Sequence, residues 1–349
     1  MSAQLLPACV VVAATLALGA TARAADEGQT LAQRAGRGLI GMPAPPLTVT
    51  TIDGQTIDLG QLYGRQAIYL KFWATWCVPC RQQMPHFERT WQQAGPDLAV
   101  IAVNAGFNDT VADVREYQRA AGITMPMVID DVRVAAAFNL RVTPQHVVIG
   151  RDGRVSYVGH LADERLDQAL KVARTATRGG VTAELRAASA PAPVRHVNVG
   201  DALPAITAKN LDGRMIRFRD PADRRPTVLV FLSPWCESYL ADSRPALAAN
   251  CRRARQQVEA AAKSARTRWI GIASGLWATN DDLRGYQKQH GVDIPLVLDE
   301  SGDLFRVFDV AQVPTVLLTD ERGRVVRKLA GDEVFKDDAW TRTLASRRD

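Results

Sequence analysis

Two of the five cysteines, Cys77 and Cys80, stand with two residues between them. The run before them, Ala67 to Trp73, is apolar except for Lys71 and reads as a buried strand. After them a helix pattern runs from Arg81 through Phe87 to Trp91. Strand, Cys-x-x-Cys, helix is the setting in which this spacing reads as a redox pair. The first cysteine falls at a helix N-terminus, where the dipole and free backbone N–H groups favour a thiolate. The second lies about one turn on, within reach of a mixed disulfide formed by the first. A static bridge and a zinc half-site are the bland readings. Zinc lacks a second Cys-x-x-Cys, and the five histidines are scattered.

The stretch Phe72-Trp73-Ala74-Thr75-Trp76-Cys77-Val78-Pro79-Cys80 resembles the thioredoxin superfamily. Within it, the stretch is similar to the TlpA-like thiol–disulfide oxidoreductases of the bacterial envelope, over about Gly38 to Ala173. The resemblance implies dithiol–disulfide exchange, with Cys77 attacking or attacked and Cys80 resolving. Trp76 should shield the pair, and Pro79 should start the helix. It further implies that Thr143-Pro144 is a cis-proline loop beside the pair, where backbone groups meet an extended substrate strand. Two residues depart from the family pattern. Thioredoxin has an Asp where Lys71 stands, and many envelope relatives have a Glu where Gln83 stands. Neither residue relays a proton as a carboxylate does at neutral pH, so the base for Cys80 is left open. Glu88 lies about two turns beyond Cys80. His86 and His146, near in sequence to the active loops, read as surface or packing residues.

A chain of 349 residues should hold two domains. The net charge of +6 is mild and its basic residues are dispersed, which reads as solubility and not nucleic-acid binding. Leu5 to Ala20 is an apolar stretch of signal-peptide length, and Ala22-Arg23-Ala24 offers small residues for cleavage. Residues 1–24 are therefore expected to be a signal peptide that directs the chain to the periplasm. Residues 25–37 read as a flexible lead-in and 38–175 as the redox domain. That domain should open with a hairpin turning at Asp53-Gly54. Leu98 to Val103 and Met127 to Ile129 read as strands, Val111 to Ala121 and Val132 to Phe138 as helices.

The plan then repeats. Gly41, Asp53-Gly54, Trp76 and Cys77 are matched by Gly200, Asp212-Gly213, Trp235 and Cys236, every pair offset by 159. By Val142-Thr143-Pro144 and Val313-Pro314-Thr315 the proline offset is 170. An internal duplication follows, with residues 176–196 as linker and 197–349 as a degenerate second copy. The long helix pattern from Leu247 to about Ala265 should absorb most of the extra residues. The fold class is thus α/β: two tandem thioredoxin-like domains, each a central mixed sheet flanked by helices, with an N-terminal hairpin.

In the second copy Tyr239 takes the resolving position, so Cys236 cannot finish a dithiol exchange locally. Cys251 is the only nearby partner. Fifteen residues of continuous helix would hold the two about 22 Å apart, against a disulfide limit of about 7 Å. Pro245 is expected to kink that helix and not reverse it, as Pro85 does in the first copy. A bridge is therefore disfavoured. Three roles stay open for this copy: docking or dimerisation, mixed disulfides through Cys236 beside Pro314, and a thiol peroxidase with Ser233 near Cys236.

The expected function is a periplasmic oxidoreductase that exchanges disulfides with envelope proteins, by family likeness as a reductant. Its partners are protein thiols and disulfides and a membrane electron donor, with no nucleic acid, cofactor or metal. The rival reading is a non-enzymatic envelope chaperone or metal-handling protein. The copper-handling relatives of this fold use Cys-x-x-x-Cys, which disfavours copper.

Overall fold

The computed structural model describes residues 26–176, 195–331, 335–336 and 340–341. The expected signal peptide and nearly all of the expected linker lie outside the described residues.

Residues 26–36 form a helix, α1. The segment expected to be a flexible lead-in is therefore ordered through most of its length. Leu31, Ala32 and Ala35 are buried, and Leu31 and Ala32 pack on Val142. A one-sided apolar stripe in a short polar stretch is enough to dock a helix. The hairpin of β1 (Thr48–Thr50) and β2 (Thr56–Asp58) follows, and α2 (Leu59–Leu62) starts directly after β2.

The first sheet is built from β3 (Ala67–Trp73), β4 (Leu98–Asn104), β5 (Met127–Ile129), β6 (Gln145–Ile149) and β7 (Val155–Gly159), in the order β5-β4-β3-β6-β7. The β3, β4 and β5 strands run parallel, while β6 and β7 are antiparallel to their neighbours. As the central strand, β3 is buried along its whole length. Strand alternation sends Tyr69 and Trp73 into one core and Ile68, Leu70 and Phe72 into another. Lys71 shares the parity of Tyr69 and Trp73 and pairs with His146 across the sheet. Helix α3 (Val78–Gln92) leaves the end of β3, with Pro79 in its first turn. Helix α4 (Val111–Ala121) starts in a Thr110/Asp113 capping box and stops at left-handed Gly122. Helices α5 (Arg133–Ala137) and α6 (Glu164–Thr175) complete this half.

The second half has a hairpin of β8 (Thr207–Lys209) and β9 (Met215–Arg217). Its sheet has β10 (Thr227–Leu232), β11 (Arg268–Ser274), β12 (Leu296–Asp299), β13 (Thr315–Thr319) and β14 (Val325–Ala330), in the order β12-β11-β10-β13-β14. Its parallel and antiparallel pairings are those of the first sheet. The described residues are thus mixed α/β, with two five-stranded sheets and two separate hairpins.

After β10 the chain forms α7 (Cys236–Tyr239), then a break, then α8 (Pro245–Ala262). The continuous helix expected from Cys236 to Cys251 does not exist. Pro245 sits in the first turn of α8, where its missing N–H breaks nothing. In the first half Pro85 lies inside α3. This break changes the fate of the second-half cysteines. Helices α9 (Asn280–His290) and α10 (Asp303–Val307) follow. The first of these repeats the capping box of α4 with Thr279 and Asp282, 169 residues on.

Candidate active site

Cys77 is the N-cap of α3, and its Sγ accepts the Cys80 N–H at 3.2 Å. The two cysteines are joined as a disulfide with Cα atoms 5.2 Å apart. The Thr143–Pro144 bond is cis, and the Thr143 carbonyl oxygen lies 3.3 Å from Cys77 Sγ. The Trp76 indole N–H donates to Phe107 O at 2.8 Å, which holds the ring at the edge of the pair. The acceptor is presented by a loop that turns at Gly106, whose φ is +64°. A Cβ there would meet Asp130 O at 2.1 Å, so glycine alone fits. The fold thus gathers Trp76, Cys77, Cys80, Thr143 and Pro144 at the C-terminal end of β3.

Behind the pair lies a buried cluster of basic and amide groups. Lys71 is wholly buried, and its Nζ donates to Cys80 O at 3.3 Å. It also sits 5.3 Å from the centre of the Phe87 ring. Among the described residues no carboxylate pairs with it, and burial pushes its pKa down to about 7. Gln83 bridges two histidines: its side-chain N–H donates to His160 O at 3.2 Å, and its Oε1 takes a bond from His146 Nε2 at 2.8 Å. His146 Nδ1 then accepts from the Tyr69 hydroxyl at 2.8 Å. His160 donates from Nδ1 to Pro144 O at 2.7 Å. Burial, with the charge of Lys71 adding, holds His146 well below its usual 6.5, and burial likewise lowers His160. Both rings are neutral, hydrogen-bonded spacers at pH 7. Glu88 is turned away, accepting from the Thr124 N–H and hydroxyl. His86 is paired with Asp167 at 3.0 Å.

In the second half Val313–Pro314 is also cis. Cys236 caps no open site. It is fully buried and bonded to Cys251, with Cα atoms 6.2 Å apart. This corrects the expected separation: the break between α7 and α8 folds the chain back and brings Cys251 to Cys236. Mixed disulfides or peroxide chemistry through a free Cys236 thiol meet a cysteine that is already bonded. Cys251, Ser233 and Pro314 line one small cavity, and Ser233 Oγ there is buried without a hydrogen-bond partner.

The AhpC/TSA family pattern matches residues 40–158, the half that holds Cys77. The chain is 31% identical to the thioredoxin-like protein YneN of Bacillus subtilis strain 168 over 133 residues, covering 37% of this chain and 78% of that protein. The chain belongs to the thioredoxin superfamily. It falls among the TlpA-like members, and it is 29% identical to the thiol-disulfide oxidoreductase ResA of Bacillus anthracis, over 38% of this chain and 77% of that protein. A crystal structure of a thioredoxin-family thiol:disulfide interchange protein from Chlorobium tepidum TLS is 29% identical over 38% of this chain and 96% of its own, with a TM-score of 0.34. With its Cys77–Cys80 pair, this superfamily member is a thiol–disulfide oxidoreductase.

The sequence pointed away from one residue of the site, Lys71. A lone cation in an otherwise apolar strand was the visible signal. Its closeness to Cys80 needed the return of α3 over β3. The contacts that cover the site from the second half, made by Trp235, Tyr239, Arg244 and Trp277, left no readable signal.

Proposed function

We propose that the chain reduces disulfides of envelope proteins by dithiol–disulfide exchange in the periplasm, after loss of residues 1–24. In the reduced form the Cys77 thiolate attacks a client disulfide and one client sulfur leaves as a thiolate. The Cys80 thiolate then attacks Cys77 Sγ and frees the second client sulfur. Two electrons pass to the client and the Cys77–Cys80 disulfide remains. A membrane-bound thiol donor restores the dithiol. The observation that carries this reading is the Cys77–Cys80 disulfide at the N-cap of α3, 3.3 Å from the Thr143 carbonyl. The reductive direction rests on family likeness. Among the described residues no helix is long and apolar enough to cross a membrane.

The same reading takes residues 38–175 and 197–349 as two thioredoxin-like domains that arose by duplication. Its support is the common strand order, the two cis-prolines and the two capping boxes. The second domain has kept the frame and lost the exchange pair, with Tyr239 where Cys80 would stand.

Insulin reduction by dithiothreitol tests the activity. The wild-type protein should accelerate it, and Cys77→Ser should abolish the acceleration. Wild-type turnover in Cys77→Ser would remove Cys77 from its assigned role.

A further inference from the structure

We propose that the Cys77 face is an interaction surface filled by the chain's own second half, and that a protein client reaches the disulfide only by displacing it. The proposal rests on reading Cys77 and Cys80 as the exchanging pair. Both cysteines are wholly inaccessible and Trp76 is 1% exposed. The cover is specific. Trp277 sends its backbone N–H to Arg141 O at 2.9 Å and its indole N–H to Thr143 O at 3.1 Å. That carbonyl is the one that flanks Cys77 Sγ. The Trp76 ring lies 5.1 Å from the Trp235 ring. The Val78 N–H, one residue past Cys77, donates to the Tyr239 hydroxyl at 3.0 Å.

The arrangement is reciprocal. Asn108, 169 residues before Trp277, sends its backbone N–H to Ala311 O, 170 residues after Arg141. Both Asn108 and Trp277 have positive φ, 57° and 55°. Trp76 and Trp235 donate their indole N–H groups to Phe107 O and Leu276 O, each at 2.8 Å. Two equivalent faces therefore meet as they would in a two-fold dimer, here within one chain. An ion pair closes the rim: Arg244 reaches the buried Asp109 carboxylate at 3.1 Å and Asp113 at 3.5 Å.

The occupant also defines the partner. Trp277 uses the Arg141 and Thr143 carbonyls, which are backbone acceptors on the segment entering β6. A client that replaces it must supply a main-chain N–H and an aromatic side chain with a donor of its own. A large rigid surface cannot enter while the second half is seated.

The test is alkylation of Cys77 by iodoacetamide in the reduced protein, counted by mass spectrometry on the peptide between Lys71 and Arg81. If the face is closed, the rate equals the open fraction times the rate of an uncovered thiol. Trp277→Ala should raise it about tenfold, the weight of one good buried hydrogen bond and its packing. Trp277→Phe, which keeps an aromatic ring but loses the indole N–H and part of the packed area, should fall between, and Tyr239→Phe should act in the same direction. Insulin turnover should rise in the same order. Equal alkylation rates in wild type, all three variants and the urea-unfolded chain would overturn the proposal. Different alkylation rates with no insulin reduction in any of them would support the cover and count instead against the exchange reading.

Discussion

At the residue scale Lys71 sets the most distinctive electrostatics of the site. Its amine has no carboxylate partner among the described residues and is wholly buried, so its pKa falls from 10.5 to about 7. In the unfolded chain the amine keeps a proton up to about pH 10.4. Between about pH 7 and 10 the unfolded chain therefore binds more protons than the folded one, and stability from this group rises with pH. Below pH 7 its burial opposes folding in full. Lys71→Met should accordingly stabilise the protein at pH 6, by up to about 4 kcal/mol, and by progressively less towards pH 10. Urea titrations of both proteins at pH 6 and pH 9.5 check this. A gain that grows with pH would contradict the argument. Because the amine changes charge beside Cys80, wild-type insulin turnover should carry an inflection near pH 7 that Lys71→Met removes. The sequence displayed Lys71 as the one charge in an apolar strand. What it withheld was the fold of α3 back over β3, which makes that charge a neighbour of the resolving cysteine and not an edge residue.

At the element scale the first half was largely legible. The strand Ala67–Trp73, the helix Val111–Ala121 and the strand Met127–Ile129 stand at their expected bounds. Each is set by local pattern: an apolar run broken only by Lys71, a capping box with a terminal glycine, a Pro-bounded short strand. The second half defeated the same reasoning at one point. Apolar and small residues from Leu247 onward have helical spacing, but Leu240 to Arg244 connect two helices and do not continue one. Pro245 tolerated in a first turn and Pro85 tolerated within α3 look alike in sequence, because proline excludes a donor without saying which turn it occupies. The consequence is the Cys236–Cys251 disulfide, which ties α7 to α8 across a separation of 15 residues. Closing a loop of that length in the unfolded chain is worth about 3 kcal/mol. Cys251→Ala should lower the unfolding free energy by about that amount in urea without reductant. Addition of dithiothreitol should destabilise the wild type in the same way. An unchanged urea midpoint in Cys251→Ala would show that the bridge does not hold these helices together.

At the scale of the whole molecule, the sequence shows landmarks that recur at an offset of 159 residues at Trp76 and Trp235, grown to 170 at Pro144 and Pro314. They say nothing of how the two halves sit against each other, since that depends on contacts between residues of no special spacing. Arg244 is the plainest example. In sequence it is one arginine among many, while in the fold it bonds Thr75 Oγ1 at 2.6 Å and faces both Asp109 and Asp113. Burial raises the pKa of Asp109, against its hydrogen bonds to Asn104 and Thr75 and the attraction of Arg244. Arg244→Glu would set like charges against each other at a partly desolvated rim, which costs several-fold more than at an open surface. Besides Val78, bonded to the Tyr239 hydroxyl, three backbone N–H groups among the described residues have their acceptors in the other half of the chain: Asn108, bonded to Ala311 O, Trp277, bonded to Arg141 O, and Val313, bonded to Asn108 Oδ1 at 2.9 Å. In Arg244→Glu these three should exchange hydrogen at least about tenfold faster than in the wild type. Amides at the centres of β3 and β10, paired within their own sheets, should keep their rates. If all five regions exchange faster together, the substitution has loosened the two sheets themselves. If none does, Arg244 is a surface charge and the two halves are held by their remaining hydrogen bonds and by the aromatic contact of Trp76 and Trp235.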